Sequence, residues 1–245
     1  MRLAVISDIH GNRLALAAVL ADIGGQGADA TLNLGDHVSG PLWPAETAAM
    51  LMANDFTSIQ GNHDRALAAP AGKNMKSTDA FALAHIGESE LAWLRALPPT
   101  RVFENEVLLA HGTPRSDTTY WLEFVHRKGR MLPAPLEEIE AEAAGFDYPV
   151  LLCGHSHIQR LVMLADGRLV LNPGSVGCPA YRDDKPLQYM FAGSPHARYA
   201  LLDRQNGVWS ASFRAVPYDH HQASARAGAN GRADWAEGLA TGWIR

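Results

Sequence analysis

The chain has 245 residues, 47% of them hydrophobic, which is enough for one domain, or one domain with an inserted cap, around a sizeable core. Its 21 basic and 26 acidic residues leave a formal charge of −5, which argues against a broad electrostatic footprint for duplex nucleic acid. The two cysteines, Cys153 and Cys178, form neither a C-x-x-C pair nor a disulfide framework, as suits a reducing compartment.

Behind Met1 and Arg2 the chain enters a strand-like run, LAVIS at 3–7, rather than the three regions of a secretory signal. The nearest long apolar candidates are broken by Asp22, Asn33 or Asp36, so a cytoplasmic protein that does not span a membrane is expected. NRLALAAVLADI at 12–23 has helical spacing behind an Asn12 cap, with Gly24-Gly25 as its stop. ATLNLGD at 30–36 reads as a strand, PAETAAMLMAND at 44–55 as a helix with proline near its start, and FTSIQGNHD at 56–64 as strand running into loop. Three such units in series predict a mainly parallel sheet with ligands at the carboxyl ends of its strands.

From about 65 to 100 the pattern turns helical, with LAAPAGK loop-like and TDAFALAHIGESELAWLRAL forming one or two helices that cover the site. EVLLAHG at 106–112 and PVLLCGHSH at 149–157 are buried strands on either side of a helix, APLEEIEAEAAG at 134–145, closed by Gly145. RLVMLADGRLVLNPGS predicts a hairpin with a type I′ turn at Asp166-Gly167, and residues 199–216 predict another at Asn206-Gly207, giving a second, more antiparallel sheet. Proline punctuates two expected loops, LPPTR at 97–101 and RDDKPLQ at 182–188. The tail, 219–245, reads as a helix of modest stability and a loose terminus.

Five loops share one property. SDIHGN (7–12), GDH (35–37), GNHD (61–64), AHGTP (110–114) and GHSH (154–157) each follow a predicted buried strand and present His, Asp or Asn. One such loop is an ordinary turn. Five at one end of a sheet bring carboxylates and imidazoles together, and these need partners once desolvated. A pair of divalent cations answers that need, and the mixed N/O donor set suits Mn, Fe, Zn, Co or Ni better than calcium or a structural zinc.

This series resembles the D-x-H, G-D, G-N-H-D/E, H and G-H-x-H motifs of the calcineurin-like metallophosphoesterases. LNPGSVG at 171–177 is similar to the segment after GHxH in their small bacterial and archaeal members. The likeness runs from residue 3 to about 204. It implies an α/β fold of two facing mixed β-sheets flanked by helices, a four-layer αββα sandwich, here with a small helical cap at about 66–100, a main domain over 1–216 and a tail over 217–245. It further implies that Asp8, His10 and His157 hold one metal, that Asp36 bridges two, and that Asn62, His111 and His155 hold the second. His63 is then placed near the scissile phosphate, to stabilise charge or protonate the leaving oxygen, with Asp64 orienting it.

Two divalent metals about 3.5–4 Å apart can activate water and clamp phosphoryl oxygens, which gives this assignment a chemical reason. Asp8 and His10, two apart on an extended backbone, would point to one side and chelate one ion, and Gly11 would allow the turn into a helix whose amino end favours phosphate. Asn12, Arg65 and Arg115 are the candidate substrate contacts, with Arg182 a further guanidinium. Tyr120, Trp121 and Trp43 either stack on a base or aryl group or pack in the core, and His37 stays outside the ligand set. The expected activity is hydrolysis of phosphodiesters in small or nucleotide-type substrates by metal-activated water. The alternatives are a phosphomonoesterase or protein phosphatase, a single-strand nuclease, and an inactive phosphate-binding regulatory module.

Overall fold

Three strand–helix units open the chain because short apolar runs alternate with segments of helical spacing. The computed structural model describes residues 1–69, 75–184 and 187–244. β1 (Arg2–Ile6) leads into α1 (Arg13–Gln26), where the Asn12 side chain accepts a hydrogen bond from the Ala15 N–H at 3.2 Å. Gly24 and Gly25 do not stop this helix. They continue it, and the stop falls at Gly27, whose φ of 66° is the left-handed end that a glycine reaches without strain. β2 (Ala30–Asn33), α2 (Pro44–Met52) and β3 (Thr57–Ser58) follow, with proline as the first residue of α2, and β1, β2 and β3 pair in parallel.

The sequence GNHD, expected as loop, instead starts α3 (Asn62–Ala68). Asp64 Oδ2 accepts the Gly61 N–H at 2.9 Å, so a carboxylate in the first turn satisfies the donor that precedes the helix. The loop expected over 67–73 overlaps residues 70–74, which lie outside the described residues. α4 (Ser77–Leu83) and α5 (Glu88–Ala96) set Ala82 and Leu94 into a cluster with Val38, Ala48 and Leu67.

The second sheet comes from the middle of the chain. After β4 (Arg101–Phe103) and β5 (Val107–Leu109) come a small ribbon, β6 (Glu123–Val125) with β7 (Met131–Pro133), and α6 (Leu136–Ala143). β8 (Val150–Leu152), β9 (Arg160–Met163) and β10 (Leu169–Asn172) complete an order of β4-β5-β8-β10-β9, with parallel centre and antiparallel edges. The β9–β10 turn is not type I′. Only Gly167 has positive φ, and the Gly167 N–H reaches back to the Leu164 carbonyl, so the loop has three residues and a left-handed glycine at its end.

RDDKPLQ, expected as a loop, is not one. It belongs to a hairpin, β11 (Ala180–Asp184) and β12 (Leu187–Phe191), with residues 185 and 186 outside the described set. β13 (Ala197–Gln205) and β14 (Val208–Val216) turn at Asn206 and Gly207, both with positive φ as type I′ requires, and β13 joins β1 to give the first sheet the order β14-β13-β1-β2-β3. The tail is more ordered than expected. α7 (His220–Ala229) and α8 (Ala233–Thr241) bury Ala223, Ala227, Trp235 and Leu239 against Leu42, Trp43 and Cys178.

The two sheets face each other through Leu3, Val5 and Leu32 on one side and Val107, Leu109, Val150 and Leu152 on the other. Strand alternation sends the intervening residues outward: Ala4 and Ile6 meet Leu16 and Val19 of α1, while Leu108 and Leu151 meet Ile139 and Ala143 of α6. Helix, sheet, sheet and helix thus form four layers, each fully buried aliphatic side chain contributing roughly 1.5–3 kcal/mol relative to exposure. This sandwich fixes the carboxyl ends of β1, β2, β5 and β8 at one edge.

Candidate metal centre

At that edge the loops are laced to one another by their backbones. The N–H groups of Asp8 and His10 donate to the carbonyls of Gly35 and Asp36, each at 3.0 Å. Gly154 N–H donates to His111 at 2.7 Å and Gly177 N–H to Asp8 at 3.0 Å. Two glycines permit this approach: a Cβ on Gly177 would collide with the Ile9 carbonyl oxygen, and one on Gly61 with the Asp36 carboxylate. The LNPGSVG segment contributes side chains as well, with Asn172 Nδ2 donating to the Gly154 carbonyl and Ser175 Oγ to that of Asp8.

The structure draws the seven expected ligands into two adjacent groups. Asp8, His10 and His157 form one and Asp36, His111 and His155 the other, each able to offer three donor atoms within 4.8 Å of one another. Asn62 Oδ1 lies 3.1 Å from His111 Nε2. Asp36 Oδ2 stands between the groups, 3.2 Å from His111 Nε2 and 3.9 Å from His10 Nε2. Asp8 and His10 do not converge by extended-strand alternation. Both are left-handed, at φ 56° and 52°, as are Asp36, His155 and His157, and a non-glycine residue held there signals strain imposed for a purpose.

Tautomers are set from behind. The Nδ1 atoms of His10, His111 and His157 donate to the carbonyls of Ser39, Leu34 and Cys178 at 2.7, 2.7 and 2.9 Å, which leaves each Nε2 lone pair for the interior. His155 is reversed, with Nε2 on the Thr118 carbonyl at 3.2 Å and its ring stacked on Tyr120. With both rings neutral, as metal ligation requires, His10 Nε2 and His157 Nε2 face each other as acceptors 3.2 Å apart, and buried Asp8 Oδ1 lacks a hydrogen bond, its contact with His157 Nε2 being 3.4 Å. Opposed lone pairs and an orphaned carboxylate oxygen are what a divalent cation would satisfy, and the mixed N/O set fits borderline first-row metals.

Without cations, protons on His111 and His157 supply part of the positive charge that the carboxylates need. Burial favours neutral carboxyls, but the imidazoles outweigh it, holding Asp8 at about 2 and Asp36 well below the carboxylate range. For the imidazoles, burial disfavours charge: with His157 nearby it takes His10 down to about 4, and with His111 nearby it takes His155 down to about 3. At His111 burial is overcome by Asp36, which holds the ring up to about 10, and at His157 by Asp8.

His63 lines the same cavity, as expected, but its orienting carboxylate is not Asp64. Asp64 accepts from the N–H groups of Asp36 (2.7 Å) and His37 (3.0 Å) and from His37 Nδ1 (2.7 Å), so it organises the GDH loop. The group on His63 Nδ1 is Asp79 of α4, at 2.6 Å. No short motif links residues 63 and 79, so sequence reasoning missed it.

Three expected substrate contacts lie elsewhere. Asn12 is fully buried, its amide donating to the Gly177 carbonyl and Tyr218 hydroxyl, and the start of α1 is correspondingly shielded from the cavity. Arg65 is a surface residue paired with Asp117, and Arg115 donates to the carbonyls of Glu142 and Ala144. Trp121 and Trp43 pack in cores, whereas Tyr120 and Arg182 line the cavity. The cavity measures about 710 Å³, and the C-terminal tail adds Arg232 and Trp235 to its wall.

Residues 1–194 match the family model of the calcineurin-like phosphoesterase superfamily domain. An uncharacterized protein of Methanocaldococcus jannaschii is 27% identical, over 95% of this chain and 94% of its own. A metallophosphoesterase from Sphaerobacter thermophilus superposes with a TM-score of 0.77 at 24% identity, over 99% of this chain and 100% of that one. A hypothetical protein from Pyrococcus horikoshii OT3 gives 0.74 at 22% identity, over 100% and 99%. No helix among the described residues is long and apolar enough to cross a membrane.

Proposed function

The chain belongs to the calcineurin-like phosphoesterase superfamily, and from that membership we propose that it is a cytoplasmic, metal-dependent hydrolase of phosphodiester bonds in small or nucleotide-type substrates. The observation that carries this reading is the position of Asp36, whose single oxygen lies within reach of imidazoles from both ligand groups. Asp8, His10 and His157 would hold one cation, Asn62, His111 and His155 a second, and Asp36 both. Two divalent ions of the Mn, Fe, Zn, Ni or Co kind, bound there, supply Lewis acidity toward phosphoryl oxygens and acidify water.

The residues of the chain then divide the work. Backbone carbonyls behind His10, His111 and His157 keep their tautomers fixed, and His63 faces the cavity to protonate the leaving oxygen. A diester is favoured over a monoester by charge. Among the described residues, the cavity-lining cations Lys76, Arg182 and Arg232 each pair with a carboxylate, Asp183, Asp184 and Asp234 in turn, which leaves no free clamp for a phosphate dianion. The volume of about 710 Å³ leaves room for a second ester substituent.

Parallel assays of metal-reconstituted protein with bis-(4-nitrophenyl) phosphate and 4-nitrophenyl phosphate test the reading, followed by nucleotides, dinucleotide polyphosphates and cyclic nucleotides. Faster turnover of the diester is expected, with both metals and activity lost in Asp36→Asn. Preference for the monoester would assign a phosphomonoesterase, and inertness toward every ester with two metals bound would assign a phosphate-binding module.

A further inference from the structure

Behind His63, outside the cavity lining, stands a carboxylate that the five motif loops do not account for. Asp79 sits in the first turn of α4, and its residue is only 2% exposed. An acidic side chain at that position commonly does no more than complement the helix dipole. Asp79 differs because its Oδ1 faces two groups from other elements: His63 Nδ1 at 2.6 Å and Ser39 Oγ at 2.5 Å. Ser39 in turn offers its carbonyl to His10 Nδ1 at 2.7 Å and its hydroxyl oxygen lies 3.2 Å from His63 Nδ1. One serine therefore ties the support of a metal-facing imidazole to the support of His63.

We propose that Asp79, delivered by α4, is the positioning residue of His63, holding the ring with Nδ1–H toward the helix and Nε2 toward the cavity. The proposal rests on the phosphodiesterase reading given above. During ester cleavage a water oxygen bonds to phosphorus and gives up a proton to solvent, the bond from phosphorus to the leaving oxygen breaks, that oxygen takes the proton from His63 Nε2, and the ring is left neutral, keeping its Nδ1 proton and donating it in a hydrogen bond to Asp79. Solvent returns the Nε2 proton afterwards. Asp64, which is next to His63 in sequence, cannot do this, because its oxygens are engaged by the Asp36, His37 and Gly61 N–H groups and by the His37 ring. The segment around 75–83 is on this view part of the catalytic apparatus and not only a covering layer.

The test uses metal-replete protein and two diesters, one releasing 4-nitrophenol and one releasing phenol, with Asp79→Asn and Asp79→Ala. Phenol is the poorer leaving group and depends more on protonation. Loss of kcat/KM on the phenyl ester is expected at about 10- to 100-fold, the range for removing a group that orients a functional histidine, with a much smaller loss on the 4-nitrophenyl ester. In a His63→Ala background, Asp79→Ala should add nothing. Equal losses on the two esters, or full additivity in the double variant, overturn the proposal. Proton–nitrogen correlation spectra of the His63 ring supply a readout that needs no turnover and for which the isosteric Asp79→Asn keeps the shape of the site. A protonated Nδ1 that shifts in Asp79→Asn is expected, and an Nε2–H tautomer indifferent to the substitution overturns the proposal. A wild-type protein inert toward both esters would sink the phosphodiesterase reading, while the spectra would still decide whether Asp79 holds the ring.

Discussion

The floor and the outer wall of the cavity are built on different principles. On the floor, five of the seven expected ligands sit in left-handed backbone and three of the four ligand histidines have Nδ1 on a main-chain carbonyl, so backbone geometry dictates where each donor points. The wall is made of ordinary helix and strand, the start of α4, the β11–β12 hairpin and α8, joined by exposed ion pairs such as Lys76 with Asp183. Strain is stored only where neighbouring loops over-determine the chain, as the laced motif loops do. Floor positions are therefore intolerant of change, and wall positions that do not touch His63, as Asp79 does from behind, adjust binding without touching the chemistry.

His63 borders both regions, and its loss has the largest expected effect. His63→Ala should keep both metals, because no ligand group is removed, yet lower turnover by roughly 10²–10⁴, the range for losing general acid assistance. Metal analysis alongside kcat distinguishes this from a ligand defect. Unchanged kcat in the metal-replete variant would remove His63 from the chemistry.

Next in size is Asp64→Ala, which tests whether the floor is held by its backbone. The buried carboxylate serves three backbone N–H groups and the His37 ring, so its loss should destabilise the fold by about 2–4 kcal/mol. Denaturant unfolding of metal-free protein measures this. A loss confined to activity, with stability intact, would return Asp64 to the role of orienting His63.

The floor was legible because its chemistry is written in short motifs whose spacing survives folding: Asp8 and His10, Asn62 and His63, His155 and His157 each travel together on one loop. The left-handed backbone at Asp8 and His10 was not legible, since nothing in D-x-H distinguishes it from an extended end; it arises from contacts with Gly35, Asp36 and Gly177. GNHD looked like a turn because glycine and asparagine are turn formers, yet Asp64 at the third helical position makes it a helix start. The wall was nearly silent. Arg232 and Trp235 reach the cavity, and Asp79 reaches His63, only through tertiary packing of α8 and α4, and the low hydrophobicity of the tail hid a helix pair whose buried Ala223, Ala227, Trp235 and Leu239 pack with Leu42 and Trp43.

Removal of metal sharpens the account of the floor through pH. Without cations, His111 keeps a proton up to about 10 in the fold against 6.5 as its ordinary value, so its contribution to stability is complete below 6.5 and is lost as pH rises toward 10. His10 and His155, held neutral down to about 4 and about 3, act in the opposite sense and withdraw stability as pH falls below 6.5. Asp8 adds to that loss as pH approaches 2. EDTA-treated protein should therefore show a melting temperature that peaks near pH 6.5 and declines on both sides, while metal-loaded protein stays flatter toward alkaline pH because cations replace the protons. Parallel curves would mean that these imidazoles do not form the cation site.

The smallest effect belongs to the wall. Arg232 lies in the cavity lining, forks onto Asp234 with its shorter contact at 2.7 Å, and donates to Ser77 Oγ at 3.1 Å, bridging the tail to the start of α4. Arg232→Ala leaves the Asp234 carboxylate uncompensated beside an anionic substrate, and a pair this exposed contributes about 0.2–1 kcal/mol. KM for bis-(4-nitrophenyl) phosphate should thus rise by about twofold to fivefold with kcat unchanged, the signature of lost uniform binding. A fall in kcat comparable with that of His63→Ala would show the wall acting on the transition state, and the division between a chemical floor and a binding wall would have to be abandoned.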